Sequence, residues 1–138
     1  MTGSVDSLVN LWVLNPPELS ATLDGHIASV TAVAFAPNGL FCVSGSEDKT
    51  LRVWGLTLGQ CVTTFKGHQS AVTAVCVLAD SRRVLSGDRQ GTLAVWLADD
   101  ATLLQTASGP GSGIAATPDM KFAVSGIGDT RYLLVSAF

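Results

Sequence analysis

Three tryptophans, Trp12, Trp54 and Trp96, stand 42 residues apart. No other feature limits the fold as sharply. The same interval separates Val9, Leu51 and Leu93, then Leu11, Val53 and Val95, then Gly3, Gly45 and Gly87. Compared without gaps, Gly25–Lys66 and Gly67–Ser108 share 13 identical residues of 42. Fixed self-similarity at this period means one supersecondary unit repeated and stacked on itself. A third copy begins at Gly109-Pro110. Its Pro118-Asp119 and Phe122–Gly126 fall into line only after three residues are removed.

Each unit reads as four short strands. In the first full copy they are expected at Val30–Phe35, Leu40–Ser44, Leu51–Trp54 and Cys61–Phe65. The turns between them carry Pro37-Asn38-Gly39, Glu47-Asp48-Lys49 and Leu58-Gly59-Gln60, residues suited to tight reversals. In the second copy the strands are expected at Val72–Val77, Val84–Ser86, Leu93–Trp96 and Leu103–Thr106. Val30–Phe35 hardly alternates in polarity, as suits a sheet covered on both faces. No segment shows helical periodicity. Before Gly25, strands are expected at Leu8–Val13 and Leu19–Leu23, broken by Asn15-Pro16-Pro17.

This pattern predicts an all-β chain, a partial beta-propeller of about three four-stranded blades. Residues 1–24 are read as the C-terminal part of one repeat plus a first strand-pair linker. Residues 25–66 and 67–108 are read as whole repeats, and 109–138 as a degenerate partial repeat. Thr2-Gly3-Ser4 aligns with Ser44-Gly45-Ser46, so the chain opens in mid-repeat. The expectation is a fragment or a short isoform of a longer protein.

Hydrophobic residues make up 47% of the chain and charged residues 14%, with a net charge of -3. The longest basic run is Arg82-Arg83. Phosphate-driven nucleic-acid binding is disfavoured by that balance. No apolar run reaches the length of a membrane span. Cys42, Cys61 and Cys76 form no C-x-x-C pair and lie in strand patterns, so buried free thiols in a reducing compartment are expected. No metal site, cofactor, nucleotide-binding loop or small-molecule substrate is expected.

At Gly25-His26, Gly67-His68, Ser44–Leu51, Val53-Trp54 and Val95-Trp96 the chain resembles the WD-repeat family of beta-propellers. The Asp that ends the family's W-D pair is replaced by Val13, Gly55 and Leu97. Within the family, the wording is most similar to the WD region of NACHT and WD repeat domain-containing proteins. The resemblance implies a hydrogen-bond network of His26, Ser44, Asp48 and Trp54. It implies a second of His68, Ser86 and Trp96, in which Gln90 stands where Asp48 stands in the first and Asp88 lies two positions early. That second network is expected to be the weaker, and Trp54→Phe to cost more stability than Trp96→Phe.

The resemblance further implies a non-enzymatic protein-interaction scaffold in the cytoplasm. It would be a segment of a larger signalling protein, with a sensing or autoinhibitory role if the parent is a NACHT-type NTPase. The alternative is a purely structural segment whose parent acts through another domain. Partner contacts are expected at Ser29, Thr31, Glu47, Ala71, Thr73 and Arg89, on the loops at one end of the strands. Ser44, His26 and Asp48 are the residue types of a nucleophilic triad. No G-x-S-x-G elbow surrounds Ser44, and the pattern recurs one period later, as a structural rule would.

Overall fold

The computed structural model describes residues 1–108. Beyond them it describes the backbone of three further strands, Gly113–Ala116, Phe122–Ile127 and Arg131–Ser136. All the described regular structure is β. The first sheet joins β1 (Thr2–Gly3), β2 (Val9–Leu14) and β3 (Pro17–Leu23). The second joins β4 (Val30–Phe35), β5 (Phe41–Ser46), β6 (Thr50–Gly55) and β7 (Gln60–Lys66). The third joins β8 (Val72–Val77), β9 (Arg83–Asp88), β10 (Thr92–Leu97) and β11 (Leu103–Ser108). The last three strands, β12, β13 and β14, form a fourth sheet.

Within each sheet every strand pairs antiparallel with its neighbour in sequence, so each sheet is a simple meander. Val30–Phe35 and Val72–Val77 form strands with the bounds read from the sequence. The others extend one or two residues beyond the expected limits at most ends. The expected third copy falls largely outside the described residues, apart from the three backbone strands.

The turns explain why the period holds. Three columns adopt a left-handed backbone whatever residue fills them. Ser7, Lys49 and Gly91 have φ of 69, 71 and 88°. Gly39 and Ser81 have 71 and 51°, and Gly59 and Ala101 have 62 and 59°. Glycine adopts this conformation freely, whereas a side chain resists it. The turn geometry is therefore a property of the repeat, kept even where glycine is absent.

The sheets stack face to face at two described apolar interfaces. Between the first and second sheets lie Val9, Leu23, Val30, Cys42 and Trp54. Between the second and third lie Val43, Leu51, Val53, Phe65, Val72, Val84 and Trp96, with the Phe65 and Trp96 rings stacked 5.4 Å apart. Glycine lets the sheets approach. A Cβ on Gly45 would fall 2.5 Å from Val72 Cγ1, and one on Gly3 would fall 2.5 Å from Val30 Cγ1. Both pairs obey the 42-residue period. Of the three cysteines only Cys42 is fully buried, and burial pushes its thiol up to about 12. Cys61 and Cys76 are partly exposed, a departure from the expectation of three buried thiols. All three are free.

Candidate functional site

The strand ends bring together the polar residues singled out in each repeat. His26 sits in the loop before β4, Ser44 on β5, Asp48 in the turn after β5, and Trp54 on β6. His26 Nε2 lies 2.7 Å from Ser44 Oγ, and its Nδ1 lies 2.8 Å from Asp48 Oδ2. Trp54 Nε1 donates to Ser44 Oγ at 2.8 Å. An indole N–H only donates, so Ser44 Oγ accepts from Trp54. The Asp48 carboxylate only accepts, so His26 carries its proton on Nδ1 and donates it there, and the Nε2 of the neutral ring accepts the Ser44 hydroxyl proton. The chain of bonds runs one way, from indole to carboxylate.

Both Asp48 oxygens are occupied. Oδ2 also accepts the Ile27 N–H at 3.2 Å, and Oδ1 accepts the Thr50 N–H at 2.9 Å and the Thr50 hydroxyl. Burial works against the carboxylate charge. The hydrogen bonds from the Thr50 hydroxyl, His26 and the Thr50 and Ile27 amides outweigh it and hold Asp48 below the usual range. His26 is shifted downward, chiefly by burial. Its contact with Asp48 acts in the opposite sense, and the Arg52 charge adds to the lowering. The indole leans over glycine at the loop: a Cβ on Gly25 would meet the Trp54 ring at 3.1 Å, and one on Gly67 the Trp96 ring at 2.8 Å.

The third sheet builds the same chain, and here the sequence reading needs correction. His68 Nε2 lies 2.7 Å from Ser86 Oγ, and Trp96 Nε1 donates to Ser86 Oγ at 2.8 Å. The carboxylate is Asp88, whose Oδ2 lies 2.9 Å from His68 Nδ1. Gln90, the residue in the Asp48 column, takes no part through its side chain. Its amide donates to Asp88 Oδ1 at 3.0 Å, alongside the Thr92 amide at 2.9 Å. Asp88 stands in the column of Ser46, whose hydroxyl accepts the Asp48 amide at 3.1 Å. One carboxylate thus performs the work that Ser46 and Asp48 share in the second sheet. Burial opposes its charge, but the Thr92 amide, His68 and the Gln90 amide hold it below the usual range. The signal available in the sequence was that Asp88, the last residue of β9, is the only acid between Arg82 and Asp99. The second network is complete, so the expected weakness of that network and the expected ranking of the two tryptophan substitutions are withdrawn.

The Ser–His–Asp distances alone resemble those of a nucleophilic triad. Burial and bonding oppose that use. Ser44 and Ser86 are fully buried, and each Oγ already accepts an indole proton. A nucleophile needs an open approach for the carbonyl it attacks. Among the described residues, no group of three His, Cys, Asp or Glu is placed to hold a metal ion.

The six residues expected to meet partners cluster at the end of the sheets where β4 and β8 begin. Several are already engaged. Ser29 Oγ lies 3.5 Å from Val5 O in the neighbouring sheet. Thr31 and Thr73 are the extra residues of β-bulges that re-aim their side chains. Thr31 Oγ1 donates to Val72 O, tying the second sheet to the third, and Thr73 Oγ1 donates to Gly87 O at 3.3 Å. Ala71 O accepts the Arg89 amide, as Ser29 O accepts that of Glu47. Arg89 Nη2 reaches Glu47 Oε1 at 3.5 Å, an exposed pair between adjacent sheets. Val5 and Ile27, which the sequence reading passed over, are 86% and 89% exposed on the same end.

The family model described as WD domain, G-beta repeat matches residues 17–55 and again 59–96, together more than half of the chain. The chain belongs to the WD-repeat family. No curated protein matches it. Each WD match starts on the outer strand of one sheet (β3) or in the turn just before it (Thr57-Leu58-Gly59, ahead of β7) and ends in the third strand of the next, so the sequence repeat straddles two sheets of the stack. WD repeats generally form protein-interaction scaffolds rather than enzymes. The four-residue networks of this WD-repeat chain are correspondingly inward-facing.

Proposed function

We propose that the chain acts as a protein-interaction scaffold whose recognition surface is the loop end carrying Val5, Ile27, Glu47 and Arg89. One observation carries this reading. His26 and Ile27 are adjacent, yet His26 is 4% exposed and Ile27 is 89% exposed. The network holds the loop rigid from within while an aliphatic side chain stands in water beside it. Rigid elements that present an exposed apolar group beside charges are suited to protein recognition.

The units at 25–66 and 67–108 are the proposed repeats, with 1–24 and 109–138 contributing to neighbouring ones. A cytoplasmic signalling parent of the NACHT type fits the wording of the repeats and stays part of this proposal. The second reading, a purely structural segment, draws support from the Glu47–Arg89 pair, which satisfies each charge within the stack.

Crosslinking in cells with a photoreactive group at position 27 separates the two readings. The scaffold reading expects a discrete protein adduct that disappears with Glu47→Lys or Arg89→Glu while the purified variants remain folded. Absence of an adduct, or one indifferent to both reversals, supports the structural reading instead.

A further inference from the structure

Arg52, on β6, carries a buried donor with nothing to bind. Its Nε is fully buried and has no hydrogen-bond partner among the described residues. Among those residues no carboxylate forms an ion pair with its guanidinium. A buried donor left unsatisfied is costly, and more so on a charged group, so its place calls for an explanation. The guanidinium is held on two sides. Gly25 makes room on one, since a Cβ there would fall 2.9 Å from Nη1. On the other, Nη1 donates to Cys61 Sγ at 3.5 Å.

Cys61 turns its own S–H elsewhere, onto Thr63 O at 3.6 Å, with Thr64 Oγ1 3.7 Å from the sulfur. A sulfur lone pair therefore faces the cation. Cys61 is partly exposed, on the strand at the outer edge of its sheet. The opening belongs to the rim of the stack: Leu103, one period later and likewise paired with a buried tryptophan, is 46% exposed. The repeat itself does not require this pair. Asn10 and Leu19 stand in the same two columns one period earlier, and Ala94 and Leu103 one period later. Electropositive, partly exposed surroundings are those in which a cysteine sulfur reacts with oxidants.

We propose that Cys61 is a site of reversible oxidation by hydroperoxides, with Arg52 holding the oxidised sulfur. The sulfur attacks one peroxide oxygen, so that an S–O bond forms as the O–O bond breaks. Sulfur gives up two electrons, the peroxide is reduced, and the leaving hydroxide takes the thiol proton to become water. The product is a sulfenic acid, which reaction with thiols reverses. Its oxygen supplies the acceptor that the Arg52 guanidinium lacks. This chemistry is separate from partner binding at the loops.

Hydrogen peroxide treatment of the full 138-residue chain tests it, with dimedone capture of sulfenic acid and mass spectrometry of each cysteine peptide. The other two cysteines are controls in the same molecule, Cys76 partly exposed and Cys42 fully buried with its thiol pushed up to about 12. The expected result is capture at Cys61 roughly tenfold faster than at Cys76, the gain from one hydrogen bond to a charged group, and none at Cys42. Arg52→Met is expected to bring Cys61 down to the rate of Cys76, and Arg52→Lys, which keeps the charge, to restore part of the difference. A wild-type Cys61 no faster than Cys76 overturns the proposal. So does an Arg52→Met chain in which Cys61 keeps its rate while Cys42 stays protected. Capture at Cys42 marks a variant that has lost its fold, and the wild-type comparison then decides.

Discussion

Ser44→Ala is expected to lower the free energy of unfolding by about 3 kcal/mol. Among the described residues, the hydroxyl is the one partner of two buried groups, the Trp54 indole N–H and His26 Nε2. Removing it strands both, and each unsatisfied buried group costs ~1–3 kcal/mol. Ser86→Ala is expected to cost a similar amount, because the Trp96, Ser86, His68 and Asp88 chain has the same connections. By the same argument Trp54→Phe and Trp96→Phe are expected to be comparably destabilising. Urea denaturation of the four variants checks this. A Ser86→Ala loss far smaller than that of Ser44→Ala would mean that Asp88 does not complete the second chain.

Gly45→Val is expected to cost about 2 kcal/mol through overpacking between the second and third sheets. Its first side-chain atom would fall 2.5 Å from Val72 Cγ1 and 3.1 Å from Val75 Cγ1. Both obstacles are branched residues anchored at the strand, with no flexible tip to swing aside. Val72 is fully buried, so the sheets themselves must part. The penalty should fall when Val72→Ala opens the space. A thermodynamic cycle of Gly45→Val, Val72→Ala and the double variant measures this, since contacting residues couple where distant ones add. Simple additivity would show that Gly45 is present for some reason other than close approach.

Much of this architecture was legible because the repeat reports on backbone. Turn columns, strand bounds and the two glycine–valine contacts all follow the 42-residue interval. The parts that were not legible depend on where side chains reach. Asp88 lies two positions from its column, yet a carboxylate needs only to reach His68, and the end of β9 lets it. Thr31 and Thr73 read as partner-contact residues. Bulges turned their hydroxyls onto carbonyls of the stack, and a bulge leaves little trace in polarity. Glu47 and Arg89 are one period apart, which places them side by side in adjacent sheets. Their pairing was available from spacing alone. The exposure of Ile27 was not, because an aliphatic residue beside a buried histidine reads as core.

His26 is a neutral structural link between Ser44 and Asp48, with its proton on Nδ1. The downward shift of His26 has a thermodynamic consequence. Unfolded imidazole gains its proton near 6.5, while the folded ring resists it. The unfolded state then binds more protons, so stability falls as pH drops below that value and is fully present above it. Nitrogen-15 NMR of the imidazoles reads both points directly. The expected result at pH 7.5 is a protonated Nδ1 and an unprotonated Nε2 for His26, a form it keeps as the pH is lowered through 6.5. A proton on Nε2, or a His26 that charges at or above 6.5, would contradict the account.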